Sequence, residues 1–222
     1  DEDEFLAVCR FAEGCARSGE VVTLGIEPPY PATGYGYIEV EPEIFASNRS
    51  LRALRVRRFR EKPDLATAEA FVEQGGFYWN AGMFIFRVSV MAEAFARLMP
   101  ELWGTLGELA PDLGNLEAVY ARVQPQSLDY GLMEHLDRQV TIPCDLGWSD
   151  VGSWEEASRL PRPAESVFTL DAAGSFVRPH RDKVYGLIGT PELIVVDTAD
   201  ALLIARRDQS QRVKELLGEI EA

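Results

Sequence analysis

Strand and helix patterns alternate along residues 1–160, and this alternation restricts the chain to a small set of folds. Phe5 to Arg17 carries apolar residues at helical spacing, and Gly19 follows as a stop signal. Val21 to Ile26 is a short, almost wholly apolar run, which is typical of a strand buried on both faces. Because such segments continue to alternate as far as Leu160, the sequence predicts an α/β domain.

The pattern changes after Leu160. Pro161-Arg162-Pro163 has the composition of a linker, and the segments after it are short strand patterns separated by turns. Asp208 to Ile220 closes the chain as an amphipathic helix. We therefore predict two domains: residues 1–161 form the α/β domain, and residues 162–222 form a small β-rich domain that ends in a helix.

Composition narrows the classes of function. The formal net charge of −14 argues against nucleic acid or an anionic membrane as a general partner, so an anionic substrate would need a local basic group. The three cysteines contain no Cys-x-x-Cys pair, which favours a reduced, cytoplasmic location. No apolar run approaches transmembrane length, and nothing at the start resembles a signal peptide. Because the sequence opens on Asp1, we expect that the natural start has been lost.

A glycine-rich stretch from Gly147 to Trp154 supplies the first candidate site residue, Asp150. Ser153 and Glu156 have the spacing of a capping box, which predicts a helix over Trp154 to Leu160. Asp150 thus lies on a tight loop between a strand end and a helix start. A carboxylate there suits a hard divalent cation or a polar substrate. The alternative is that Asp150 only caps a turn.

Two further candidates lie at predicted strand ends. In Thr33-Gly34-Tyr35-Gly36 the glycines expose backbone groups that can bind a hydroxylated ligand, and the Tyr35 ring can form a wall; the alternative is a plain β-turn. Glu61-Lys62-Pro63 places opposite charges side by side. A carboxylate can accept hydrogen bonds from sugar hydroxyls, and an ammonium can meet a phosphate. The alternative is a solvated ion pair.

Asn80 and Asp129 are weaker candidates. Asn80, between Trp79 and Gly82, offers a donor and an acceptor beside an aromatic ring, although Asn also favours turns. Asp129 falls in the first turn of a helix expected over Ser127 to Asp137, where the helix dipole alone favours a carboxylate. His135 and His180 are isolated and lack metal-ligand spacing.

The order of these motifs is more specific than any one of them, and together they closely resemble the bacterial mannose-1-phosphate guanylyltransferases of the sugar-nucleotidyltransferase superfamily. Val195 to Leu203, near the end of the chain, also looks like that family. In chain order the motifs are Leu24-Gly25-Ile26-Glu27-Pro28, Thr33-Gly34-Tyr35-Gly36-Tyr37-Ile38, Phe59-Arg60-Glu61-Lys62-Pro63, Trp79-Asn80-Ala81-Gly82-Met83-Phe84, Ser127-Leu128-Asp129-Tyr130-Gly131-Leu132-Met133-Glu134 and Trp148-Ser149-Asp150-Val151-Gly152-Ser153-Trp154.

The resemblance implies a Rossmann-like nucleotidyltransferase domain, with a mixed and mostly parallel sheet flanked by helices. It also implies transfer of a guanylyl group from GTP to mannose 1-phosphate, with Mg²⁺ as cofactor, in a homodimer. Asp150 would ligate the metal, Lys62 would bind the sugar phosphate, and both would be catalytic. Glu61 would bind the sugar hydroxyls. The other residues expected to bind the sugar are Thr33, Gly34, Tyr35, Gly36, Asn80, Gly82 and Asp129.

The sequence also departs from the family. The glycine-rich nucleotide loop, the base-binding segment and an Ala-Asp-His motif are absent, so we expect missing residues upstream. The link from Leu160 to Ala164 looks shortened. Two alternatives therefore remain: a nucleotidyltransferase for another hexose 1-phosphate, and a catalytically incompetent remnant or partner subunit that keeps only the sugar pocket.

Overall fold

The computed structural model describes residues 2–48, 51–160, 166–180 and 182–220. The chain divides into two compact units, Asp1–Trp148 and Ser149–Ala222. Three predictions concern residues outside the described ranges. They are the linker at residues 161–163, the domain boundary between residues 161 and 162, and the shortening of the link that ends at residue 164.

The first unit contains six helices and five strands among its described residues. In chain order they are α1 (Glu2–Arg17), β1 (Val21–Ile26), β2 (Tyr37–Asn48), β3 (Leu51–Arg60), α2 (Leu65–Gln74), β4 (Phe77–Ile85), α3 (Val88–Leu98), α4 (Pro100–Leu106), α5 (Leu116–Tyr120), α6 (Leu128–Gly131) and β5 (Gln139–Pro143). The predicted helix from Ser127 to Asp137 is wrong in length. Leu132, at φ −128° and ψ −56°, ends α6, and only a short 3₁₀ turn follows.

The five strands form a closed barrel in the order β1-β4-β2-β3-β5. The predicted mixed sheet is confirmed. The predicted excess of parallel pairs is not found in this sheet: of its described pairs, only β1 with β5 is parallel. The reason is local: β2 and β3 follow each other along the chain with a connection too short for a crossover, so they form a hairpin. β4 then joins both β2 and β1 in the antiparallel sense.

The apolar sequence of β1 reflects burial on both of its faces. Val22 and Leu24 belong to one buried cluster, which includes Val8 of α1. Val21 belongs to a second cluster, which includes Met91 of α3. Alternate side chains of a strand point to opposite faces, so β1 is covered by helices on both sides, and every one of its residues is buried.

The second unit is β-rich, and its last described element is a helix, as predicted. The elements are α7 (Trp154–Arg159), β6 (Val167–Leu170), β7 (Phe176–Arg178), β8 (Tyr185–Ile188), β9 (Leu193–Asp197), β10 (Leu202–Arg206) and α8 (Val213–Ile220). The parallel pairs are β6/β8 and β7/β9, and β10 adds to β9 in the antiparallel sense. Among the described residues of the whole chain, no helix combines the length and apolar character needed to span a bilayer.

We expect Leu24→Ala to lower the free energy of unfolding of the first unit by about 2–5 kcal/mol, because it leaves a cavity beneath a fully buried strand. Leu65→Ala is the matched control, since Leu65 is 55% exposed, and it should change stability by less than about 0.5 kcal/mol. Urea denaturation followed by tryptophan fluorescence measures both variants. Equal effects of the two substitutions would contradict this description of the core.

Candidate active site

Strand register brings three predicted site residues together. Tyr37, at the start of β2, pairs with Arg60 at the end of β3 and with Trp79 in β4. The neighbours of these three residues are Gly36, Glu61 and Asn80, so the start of β2, the end of β3 and the middle of β4 meet at this point. The backbone N–H of Asn80 donates to the Gly36 carbonyl at 2.8 Å, which fixes this arrangement.

Glu61 occupies the space that a side chain at position 36 would need. A Cβ added to Gly36 would lie 2.5 Å from Glu61 Oε2 and 3.0 Å from the Phe59 ring. The carboxylate therefore lies against bare backbone, and the Glu61 side chain is only 10% exposed. This is a close approach that only glycine permits.

Lys62 places a cation beside this carboxylate. Its Nζ lies 2.9 Å from Glu61 Oε1, while the side chain as a whole is 59% exposed. Its backbone has φ 43°, which is in the left-handed region that L residues rarely adopt. The hydrogen bond to Glu61 raises the pKa of Lys62, so the ammonium remains charged.

Both the nitrogen and the oxygen of the Asn80 side-chain amide form hydrogen bonds within the protein. Asn80 Nδ2 donates to Asp129 Oδ1 at 3.2 Å, and Asn80 Oδ1 accepts from the backbone N–H of Gly82 at 3.1 Å. Gly82 has φ 69°, a conformation that favours glycine. Since the Asp129 oxygen is an acceptor, these bonds set which end of the amide is the donor, and one Nδ2–H remains available to a ligand.

Asp129 sits in the first turn of α6 and is half-buried. Ser127 caps this helix, because its Oγ accepts from the Tyr130 N–H at 3.3 Å. Burial is the main cause that raises the pKa of Asp129, and the negative charge of Glu61 adds to it. Lys62 and Asn80 oppose this rise. Two carboxylates and one ammonium therefore share this end of the sheet.

Aromatic rings pack behind the polar cluster. The Tyr35 ring meets the rings of Trp79 and Trp148 edge to face, with centroids 4.7 and 5.6 Å apart. Tyr35 is buried, so its ring belongs to the wall rather than the opening. Thr33 and Gly34 are exposed in the preceding loop, and among the described residues no hydrogen bond joins them to the cluster.

Asp150 belongs to the second unit, whereas the other predicted site residues belong to the first. It is exposed, and its Oδ1 accepts from the backbone N–H of Gly152 at 2.9 Å. Val151, with φ 51°, tightens this loop. The predicted capping box is present on one side, since Ser153 Oγ accepts from the Glu156 N–H at 3.1 Å. Within the described ranges, no group of three or more His, Cys, Asp or Glu side chains could hold a metal ion.

Two contributors were not predicted from the sequence. The Phe59 ring supports Gly36, and Ser127 orients the helix turn that carries Asp129. Phe59 stands alone as an aromatic residue among the arginines of β3, and this break in the polar pattern is a signal for an inward-facing side chain. Ser127 has the residue type of a helix N-cap.

This α/β unit, with a polar cluster at one end of its sheet, belongs to the nucleotidyl transferase family: the family model described as Nucleotidyl transferase matches residues 2–160. A second model, described as MannoseP isomerase/GMP-like beta-helix domain, matches residues 165–220. The two matches together cover most of the chain, and the resemblance inferred from the ordered motifs is confirmed.

Individual relatives agree with this family. The chain is 37% identical over 236 residues to the mannose-1-phosphate guanylyltransferase of Escherichia coli (strain K12), covering 100% of the chain and 49% of that protein. It is 34% identical over 236 residues to the xanthan biosynthesis protein XanB of Xanthomonas campestris pv. campestris (strain B100), with the same coverage. The chain thus spans about half the length of these curated relatives.

A solved structure extends the likeness to three dimensions. The crystal structure of mannose-1-phosphate geranyltransferase from Thermus thermophilus superposes with a TM-score of 0.83 at 32% identity. The match covers 100% of this chain and 66% of that one. The predicted nucleotidyltransferase fold is therefore confirmed.

We expect Glu61→Gln to lower the pKa of Asp129, because it removes a negative charge that raises this pKa and leaves Lys62 in place. Carbon-13 NMR titration of the Asp129 carboxyl measures the change, with the exposed Glu69→Gln as control. An unchanged or higher pKa in Glu61→Gln would contradict the charge coupling.

The charge coupling between Glu61 and Asp129 also affects how the free energy of unfolding depends on pH. Because folding raises the pKa of Asp129, the protonated carboxyl favours the folded state. This contribution to the free energy of unfolding is fully present below the ordinary carboxyl pKa. It is lost as the pH rises through the raised pKa of Asp129 in the folded chain. Glu61→Gln should narrow this interval of pH.

Proposed function

We propose that this chain transfers a guanylyl group from GTP to mannose 1-phosphate and forms GDP-mannose and pyrophosphate. The observation that carries the proposal is the Glu61–Lys62 pair lying against Gly36, next to the fixed amide of Asn80. This arrangement offers a hydrogen-bond acceptor, a donor and a cation within one cluster, which are the groups that a hexose phosphate requires. The relatives named above support the choice of sugar and nucleotide.

The sugar is the part of the substrate that we assign to Glu61 and Asn80. Glu61 Oε2, held against Gly36, is placed to accept a hydrogen bond from a sugar hydroxyl. Asn80 donates through its remaining Nδ2–H, since Asp129 and Gly82 hold the rest of its amide. A donor on β4 and an acceptor at the end of β3, the two strands that flank β2, suit two hydroxyls of one ring. Thr33, Gly34 and Gly82 would contribute backbone groups, and Tyr35 the wall.

The phosphate of the sugar is the part that we assign to Lys62. An exposed, charged ammonium can meet a phosphate oxygen at small conformational cost, while Glu61 keeps the lysine stem oriented. One phosphate oxygen then attacks the α-phosphorus of GTP. A P–O bond forms there as the bond to the β-phosphate oxygen breaks, and the electron pair leaves with pyrophosphate. The protein contributes mainly position and charge to such a transfer.

We infer Asp150 as a ligand of Mg²⁺. Magnesium is commonly held by one or two carboxylates together with substrate phosphates and water, so an exposed carboxylate on a tight loop fits this ion without a larger group of ligands. When bound, the ion would offset negative charge on the phosphates.

The domain division and assembly are also proposals. We propose a nucleotidyltransferase domain over residues 1–161 and a β-rich domain over residues 162–222; the two family models, at residues 2–160 and 165–220, support this division. A homodimer follows from the family resemblance alone. A reducing, cytoplasmic location is supported by Cys9, Cys15 and Cys144, which are all free thiols.

The test is an assay of the natural protein for release of pyrophosphate from GTP. We expect turnover with mannose 1-phosphate and Mg²⁺, and much slower turnover with glucose 1-phosphate or galactose 1-phosphate. Faster turnover with another hexose 1-phosphate would replace mannose as the substrate. A folded protein that binds the sugar phosphate but turns over none of these substrates would be the incompetent remnant.

The same assay tests Asp150. We expect Asp150→Ala to lower magnesium-dependent turnover at least about 100-fold while the protein stays folded, because removing a metal ligand removes charge stabilisation of the transition state. Asp145→Ala is the matched control, since it removes an exposed carboxylate from the same segment. Normal turnover in Asp150→Ala would show that the metal assignment is wrong.

A further inference from the structure

The second unit contains a cavity of about 430 Å³ that the proposed reaction does not use. Its size falls in the range of sites for small molecules. Apolar and aromatic side chains form much of its wall, among them Trp154 of α7, Phe176 of β7 and Val213 of α8. Val151 and Gly152, which directly follow Asp150, also line it.

Two cations at this cavity have no carboxylate partner among the described residues. The second unit has seven described lysines and arginines, and five of them form ion pairs with described carboxylates. The remaining two are Arg178 and Lys214, and both are exposed and line the cavity. In a protein with a net charge of −14, the convergence of two such cations on one cavity points to an anionic ligand.

A buried hydroxyl supports the same conclusion independently. Ser210 also lines the cavity and is only 4% exposed. Within the part of the chain that the structure describes, its Oγ has no hydrogen-bond partner, which is costly for a buried polar group. A ligand atom or a water molecule that enters with the ligand would satisfy it.

We propose that this cavity binds a phosphate monoester attached to a flat ring, of about the size of a mononucleotide. Arg178 and Lys214 would hold the phosphate, and the ring would lie against Trp154 and Phe176. Because residues next to Asp150 form part of the wall, a ligand here would contact the loop that carries that carboxylate. The proposal is independent of the proposed function, since it concerns a separate set of residues.

The test is calorimetric titration of the full chain with phenyl phosphate. Phenol, which lacks the phosphate, and inorganic phosphate, which lacks the ring, serve as comparison probes. We expect phenyl phosphate to bind at least tenfold more tightly than either. The double variant Arg178→Gln/Lys214→Gln should raise the Kd for phenyl phosphate at least tenfold, because each charge-assisted contact changes the Kd by a factor on the order of ten. Both substituted residues are exposed, so the fold should survive, and circular dichroism checks this.

The matched control is Arg206→Gln, which removes one exposed cation of the same unit that pairs with Asp208 and does not line the cavity. Unchanged binding in this variant would support the proposal. Equal weakening in Arg206→Gln would show a general charge effect and overturn it. Binding that is lost in Lys62→Gln but kept in the double variant would place the ligand in the first unit and would also overturn it. Phenyl phosphate that binds no better than phenol would exclude an anion site.

Discussion

The close approach of the Glu61 carboxylate to the bare backbone of Gly36 governs the geometry of the candidate site. It requires a glycine at the start of β2 and a carboxylate just after the end of β3, and the backbone bond from Asn80 to Gly36 ties β4 to the same point. Lys62 bonds to the same carboxylate, and Asp129, on the helix turn capped by Ser127, joins the cluster through Asn80. The antiparallel pairing of β2 with β3 thus places Gly36 beside Glu61.

The balance of charges around the candidate site is a second constraint on what it can bind. A strongly acidic protein can bind an anionic sugar phosphate only where a cation is locally in excess or is held ready for the ligand. Lys62 meets this requirement although Glu61 and Asp129 lie near it, because the ammonium is exposed while both carboxylates are largely withdrawn from solvent. Arg178 and Lys214 in the second unit are the comparable case, since they line a cavity and pair with no described carboxylate.

Much of the fold could be predicted from local patterns, and part of it could not. The apolar run of β1 and the capping Ser153 of α7 each express a short-range rule, and each was found where it was expected. The antiparallel direction of β2 and β3 follows from their short connection, but the pairings of β1 with β4 and β5 and of β2 with β4 depend on contacts between distant segments and could not be inferred from those rules. The helix after Ser127 ended early because Leu132 adopts a non-helical conformation that its sequence pattern does not reveal.

For the candidate site, the residue types in the sequence indicated which side chains belong to it, but the sequence did not indicate which of them hydrogen-bond to each other. Glu61 and Lys62 could be selected as charged groups at a strand end, and Asn80 as an amide beside an aromatic ring, but the bond from Asn80 to Asp129 spans 49 residues of sequence and needs the folded chain. The most direct measurement of the central claim is ¹H–¹⁵N NMR of the labelled chain during addition of mannose 1-phosphate. The account predicts concentration-dependent shifts in the backbone amides of Gly36 and Gly82 and in the Asn80 side-chain amide. A folded chain in which these signals stay fixed, while the ligand shifts only signals of the second unit, would contradict it.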